Sequence, residues 1–257
     1  MLNFKIAQLC FIIECIVIAS LIYYLGISAW WLLIPIIQFK LLIIYGAANI
    51  QANFFTEAYC NADSDQKIIA LTFDDGPNKE HTPKILSTLE EHNATATFFV
   101  VGKNIFGNES IIKKIDADGH AIGNHTFSHS FFIDFKSKAG FINELNTTSD
   151  AIYNIIRKRV KFFRPPYGVT TPNLARASKA LNYDIIGWNI RSLDTTNDSE
   201  EKIADRVITQ VKPGAIILFH DTSEKTAQVL KQTLNFAKEN GFKIVSVEEL
   251  LKLRVYA

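Results

Sequence analysis

From Lys67 onward the chain alternates between two periodicities, and that alternation restricts its fold more than any other feature. Short apolar runs rich in β-branched and aromatic residues occupy 67–73, 96–101, 120–125, 161–164, 183–188, 215–220 and 242–247. Amphipathic helical stretches alternate with them at 82–92, 109–118, 137–159, 172–181, 199–211, 224–240 and 247–253. The apolar runs show little internal alternation, which points to strands covered on both faces. Seven β–α units imply a parallel sheet with helical crossovers. An open doubly wound sheet and a closed barrel both satisfy the pattern, and both place sites at the carboxyl ends of the strands.

The first 55 residues have a different character. They carry only Lys5, Glu14 and Lys40, whereas the remaining 202 hold 25 charges of each sign. Residues 6–27 are long enough to cross a bilayer as a helix. A second apolar stretch, interrupted by Pro35, Gln38 and Lys40, runs from Ile27 to about Ala48. The first stretch exceeds the apolar segment of a usual signal peptide, and the second follows at once. We therefore expect residues 1–55 to be a membrane anchor of one or two transmembrane helices in contact with lipid. Residues 56–66 read as a polar linker, and 67–253 as the soluble domain. Lys5 and Lys40 flank an uncharged loop, which by the positive-inside tendency favours cytoplasmic termini.

A formal net charge of +1 gives no electrostatic case for a nucleic-acid partner. Three cysteines, two of them inside the apolar head, cannot form a disulfide framework.

The chemistry-bearing residues sit where the strands end. The first strand ends in Thr72-Phe73-Asp74-Asp75-Gly76-Pro77. In extended backbone, neighbouring side chains point in opposite directions, so one carboxylate can hold a metal while the other faces substrate. A plain turn would use Asp, Gly and Pro as well. The third run ends in Asn124-His125-Thr126-Phe127-Ser128-His129. On a helical turn, the four-residue spacing puts both imidazoles on one face, ready for one divalent ion. With a carboxylate they make a two-His, one-Asp set that leaves positions open for water and substrate. Arg164-Pro165-Pro166-Tyr167-Gly168 fixes the backbone through its prolines and could hold an arginine against a carboxylate. His220 closes the sixth run, and an unperturbed imidazole suits a general acid near neutral pH. His81 and His92 flank a helix and are expected to face solvent.

Taken in order, TFDDGP, HTFSH, RPPYG and LFH resemble the polysaccharide deacetylases, the NodB-homology group or carbohydrate esterase family 4. The resemblance covers roughly residues 67–250. It implies a distorted (β/α) barrel of about seven parallel strands. It also implies release of acetate from N-acetylated sugars of a peptidoglycan- or chitin-like polysaccharide. By that resemblance Asp74 is the base that activates water, and Asp75, His125 and His129 are metal ligands, for Zn2+ before Co2+ or Mn2+. Arg164 positions the base, Pro166, Tyr167 and Leu218 line the substrate site, and His220 is the acid. A surface polysaccharide as substrate places the domain outside the cytoplasm.

The chain departs from the family pattern at Arg191-Ser192-Leu193-Asp194-Thr195, where the usual motif reads Asp-x-x-Asp-Trp. Asp194 survives and is expected to orient His220, and Trp188 is the nearest aromatic able to fill the missing tryptophan's space. Arg191 adds a cation that suits an acidic glycan. Two other classes stay open: an O-acetyl glycan esterase, which the same ligand set allows, and a non-catalytic binder, which would need neither Asp74 nor His220.

Overall fold

The computed structural model describes residues 2–257. Helices α1 (Phe4–Leu25) and α2 (Leu33–Ala48) form an apolar hairpin with a 3-10 turn, Ala29–Leu32, between them. Asn3 caps α1 by accepting from the Ile6 N–H, and Gly26 ends it at φ 64°. Phe39 on α2 stacks on Phe11 of α1 at 4.7 Å and lies 6.2 Å from Phe4, so the two helices pack side by side. Phe4 also donates its N–H to the Phe54 carbonyl (2.8 Å), which brings both ends of the hairpin to the domain.

The strands are β1 (Ile68–Asp74), β2 (Thr97–Val100), β3 (Ala121–Asn124), β4 (Phe162–Phe163), β5 (Asp184–Ile185), β6 (Ile190–Arg191), β7 (Ile216–His220) and β8 (Lys243–Val245). All the pairings are parallel, in the order β5-β4-β3-β2-β1-β7-β6. β8 joins β1 at Ile68–Ala70, opposite β7. Each of the seven apolar runs holds one strand, and β6 is an additional short one. Helices α3 (His81–Glu91), α4 (Gly102–Ile105), α5 (Glu109–Ala117), α6 (Lys138–Ile156), α7 (Pro172–Ala180), α8 (Glu200–Ile208) and α9 (Thr226–Glu239) lie between strands, and α10 (Val247–Leu251) follows β8.

The two-residue period of the strands sorts side chains into two cores. Ile69, Leu71 and Phe73 join Ile217 and Phe219 against the helices. Ala70, Phe99, Phe162, Ile216 and Leu218 pack on the other face, inside the barrel. Following that parity, Thr72, Asp74, His125, Arg164 and His220 all fall on the inner face at the carboxyl end. The seam between β5 and β7 is filled by residues 58–62, inside the stretch read as a linker. The Tyr59 N–H donates to the Ile185 carbonyl and the Gly187 N–H to Tyr59 (both 2.9 Å), and Ala62 donates to Gly214 (2.8 Å).

Candidate active site

Asp74 ends β1 with its Cα paired to His220 of β7 and to Phe99 of β2. One of its oxygens is committed: Arg164 Nη1 donates to Asp74 Oδ1 at 2.8 Å. Arg164 is wholly buried, and every donor nitrogen of its guanidinium is used. Nη1 also donates to Thr72 Oγ1 (2.7 Å), Nε to the Ile186 carbonyl (3.0 Å) and Nη2 to the Gly187 carbonyl (2.8 Å). The cation lies over the Phe99 ring (4.2 Å) and near Trp188 (5.5 Å). Buried charges persist only when paired and hydrogen-bonded in this way.

Asp75 follows at φ 78°, and its carboxylate reaches both histidines. Its Oδ1 lies 3.5 Å from His125 Nε2 and 3.2 Å from His129 Nε2. Ligand atoms of the three residues lie within 4.8 Å of one another, a grouping able to hold a metal ion. His125 Nδ1 is 2.7 Å from the Arg164 carbonyl, which leaves Nε2 to face the group, the usual arrangement behind a ligand histidine. The donor set, two imidazole nitrogens and a carboxylate, suits a borderline divalent ion with open positions.

The histidine pair corrects one expectation. No helix carries His125 and His129. The segment is a loop in which Thr126 (φ 66°) and His129 (φ 44°) reverse the chain and bring the two rings to 4.9 Å. Asp75, Thr126, His129, Tyr167 and Leu193 all hold positive φ. Each such residue costs about 1–3 kcal/mol, and such strain gathers at functional sites.

What holds the loop is Glu144, which no sequence motif marks. Its Oε2 accepts from the N–H groups of Phe127 (2.9 Å) and Ser128 (2.7 Å), and Oε1 accepts from Ser128 Oγ (2.9 Å) and Lys136 Nζ (3.1 Å). Burial pushes its carboxyl up, but the bonds from Ser128 and Lys136 hold it below its ordinary value. The available signal is its place on the buried stripe of α6 with Phe141, Leu145, Thr148 and Ile152. An acid on such a stripe needs donors.

His220 is held from behind. Its Nδ1 is 2.7 Å from Asp194 Oδ1, and its N–H donates to Asp194 Oδ2 (2.8 Å). Thr226 Oγ1 and Ser192 Oγ donate to the same carboxylate (2.6 and 2.9 Å), which is fully buried. Burial pushes the His220 imidazole down, but the hydrogen bond and charge of Asp194, then the charges of Asp74 and Asp75, raise it to about 8.

Tyr167 sits in a single 3-10 turn, Pro166–Gly168, with its ring edge-on to His129 at 4.8 Å. Pro166, in the same turn, is buried. Trp188 packs under Gly168, where a Cβ would come within 2.5 Å of the indole. The indole thus supports the Tyr167 turn, and Arg191 reaches over its ring at 5.9 Å. Leu218 is buried opposite Thr72. Gly76 is required for a different reason: a Cβ there would lie 2.0 Å from the Asp221 carboxylate. Asp221 accepts from Thr82 Oγ1 (2.6 Å), and burial lifts its carboxyl to about 7. Histidines 81 and 92, expected to face solvent, are partly buried, and His92 Nδ1 lies 2.8 Å from the Thr88 carbonyl.

Known proteins resemble this chain in sequence and in fold. The family model described as polysaccharide deacetylase matches residues 61–186. The chain is 33% identical over 199 residues to the peptidoglycan-N-acetylmuramic acid deacetylase PdaA of Bacillus subtilis (strain 168), covering 76% of this chain and 75% of that protein. The chain belongs to the polysaccharide deacetylase family. A peptidoglycan-N-acetylglucosamine deacetylase of Bacillus cereus is also 33% identical, over 188 residues, covering 72% of this chain and 68% of that one. Among solved structures, the Bc1960 peptidoglycan N-acetylglucosamine deacetylase superposes with a TM-score of 0.74 at 30% identity, covering 78% of this chain and 95% of that one. This deacetylase is therefore a hydrolase with the family's barrel, preceded by two apolar helices.

Proposed function

We propose that the protein is a membrane-anchored, metal-dependent deacetylase that removes acetyl groups from N-acetylated sugars of a cell-surface polysaccharide. One observation carries the reading. Asp74 and His220 are partners on adjacent strands, each is fixed from behind by a buried charged group, and a convergent Asp-His-His set begins at the residue after Asp74. A pure binding module needs neither fixed group.

Asp75, His125 and His129 would hold the ion, with Zn2+ fitting the donor set best. When bound, a divalent ion supplies polarisation of the acetyl carbonyl and acidification of water. The rest of the chemistry falls to the chain. Asp74 has Oδ1 occupied by Arg164, so Oδ2, 3.7 Å from His125 Nε2, is the oxygen that takes the proton of the attacking water. The Tyr167 N–H lies in the first turn of its short helix, without an intrahelical acceptor, and would meet the developing oxyanion. Water oxygen bonds to the carbonyl carbon and the C–N bond breaks. His220, with Nδ1 on Asp194, gives its Nε2 proton to the leaving amine.

The anchor reading rests on α1 and on residues 29–48, which have mean hydropathies of 2.3 and 1.8 and are barely covered by the rest of the chain. At the hairpin tip, Tyr23, Tyr24, Trp30 and Trp31 are exposed, the composition of an interfacial aromatic belt. A cell-surface substrate requires the domain on the extracytoplasmic side, and that requirement is set above the opposite tendency of two lysines, Lys5 and Lys40.

The direct test is acetate release by the full chain in detergent, from peptidoglycan and chitin oligomers, after chelation and again with Zn2+ restored. Zinc-dependent release from N-acetyl substrates is the expected result. Release from O-acetylated xylan alone would make the enzyme an esterase instead.

Two further outcomes are expected. His220 must carry a proton to act as acid, so kcat should hold on the acid side of about 8 and fall as pH rises through it. Asp194→Asn removes the main group raising that value and leaves only the charges of Asp74 and Asp75 to oppose burial. The alkaline limb should therefore move to lower pH, and an unmoved limb would sever Asp194 from His220. Glu144→Gln should loosen the His125–His129 loop and weaken zinc affinity about 10–100-fold, as read by chelator competition. Unchanged affinity with a lowered Tm would make Glu144 purely structural.

A further inference from the structure

The hairpin meets the domain on the face that carries the site. Thr170, three residues beyond Tyr167, donates its N–H to the Ala47 carbonyl at the end of α2 (3.1 Å) and its hydroxyl to the Gly46 carbonyl (3.4 Å). Ile50, just past α2, is buried in one cluster with Ile133, Phe141 and Leu174. Ile133 belongs to the loop that follows His129, and Asn173 Nδ2 ties that loop to α7 by donating to the Lys136 carbonyl (3.0 Å).

Around Ile133 the loop points the other way. Phe131, Phe132 and Phe135 are 77%, 68% and 85% exposed. Three exposed phenylalanines within five residues form an apolar patch that water-soluble surfaces avoid. An aromatic row runs from the patch into the site: Phe131 lies 6.5 Å from Tyr167, which lies 4.8 Å from His129. The one acid of the loop, Asp134, keeps an oxygen buried without a hydrogen-bond partner, and burial lifts its carboxyl to about 6. Lys138 is exposed at the loop's far end, where anionic headgroups would meet it.

We infer that the Phe131–Phe135 loop seats in the lipid interface of the membrane that the hairpin crosses, so that the mouth of the site opens at the bilayer surface. The inference rests on the anchor reading above. Through Ile50 and Ile133 the loop shares a buried cluster with the end of the anchor, and the anchor already holds it at the membrane, so seating three phenyl groups requires no separate association step. An acetylated sugar presented at the bilayer surface then meets Asp74 and His220 directly.

Spin-label accessibility tests this on the full chain, reconstituted in vesicles of phosphatidylethanolamine and phosphatidylglycerol. Cys10→Ser and Cys15→Ser remove the hairpin thiols, and Cys60, buried against Gly187, stays in place. Single labels are then placed through Phe132→Cys in the loop, Ile13→Cys in the hairpin and Ser87→Cys on an exposed turn of α3. The expected result is that the labels at 132 and 13 favour collision with oxygen, while the label at 87 favours the aqueous nickel complex. A label at 132 that behaves like the one at 87, with 13 in lipid, overturns the docking and leaves the anchor standing. An aqueous label at 13 overturns the anchor and the docking with it.

Discussion

Asp74→Asn is expected to leave zinc binding and the fold in place and to lower kcat about 10²–10⁴-fold, the usual worth of a positioned base. The fold should tolerate the change, since an asparagine carbonyl still accepts from Arg164. The guanidinium also keeps its bonds to Thr72 and to the carbonyls of Ile186 and Gly187. None of the three proposed ligands is altered. Zinc content, Tm and kcat measured on one preparation separate loss of the base from loss of the site. A variant with wild-type kcat would show that Asp74 is not the base. Arg164 makes a sharper contrast. Replacing it with Met leaves a buried carboxylate unpaired, a change that costs about 3–5 kcal/mol in comparable buried pairs, so its loss should appear first as instability.

His125→Ala is expected to abolish zinc retention and to reduce activity about 10³-fold or more, because Lewis-acid stabilisation contributes several kcal/mol to such reactions. The pH dependence of zinc binding has a definite sign. Burial pushes the His125 imidazole down, but the charge of Asp74, then the hydrogen bond and charge of Asp75, outweigh it and raise it above the ordinary histidine value. A proton on Nε2 competes with the ion, so zinc affinity should fall as pH drops, beginning above the usual histidine range. Asp75 stays ionised through that range. Burial pushes its carboxyl up, but His125, His129 and His220 together hold it well below normal. Binding isotherms across the pH range check this, and affinity independent of pH would remove His125 from the ligand set.

Much of the site is legible in the chain because its parts are short and local. Asp74 and Asp75 are adjacent, and their division of labour follows from where β1 ends. His125, Arg164 and His220 each close an apolar run, and the β–α order already places the ends of those runs at one end of a parallel sheet. The helical presentation of the two histidines does not hold, since spacing alone does not report the positive φ of Thr126 and His129 that bends a loop to the same effect.

What the sequence determined by itself was the β–α order, the apolar head and the residue types at the strand ends. All of these depend on local periodicity and on neighbours within a few positions. Only the tertiary structure decided that Glu144 clamps a loop 16 residues earlier in the chain. It alone set the Asp221 carboxylate against the Cα of Gly76, and Trp188 beneath the Tyr167 turn. It also decided that the end of the hairpin docks at Thr170, beside the site rather than at the far end of the barrel. Those contacts join segments far apart in the chain. A buried polar group or an absent Cβ announces that a partner is needed but carries no record of which distant segment supplies it, and the packing of the whole barrel makes that choice.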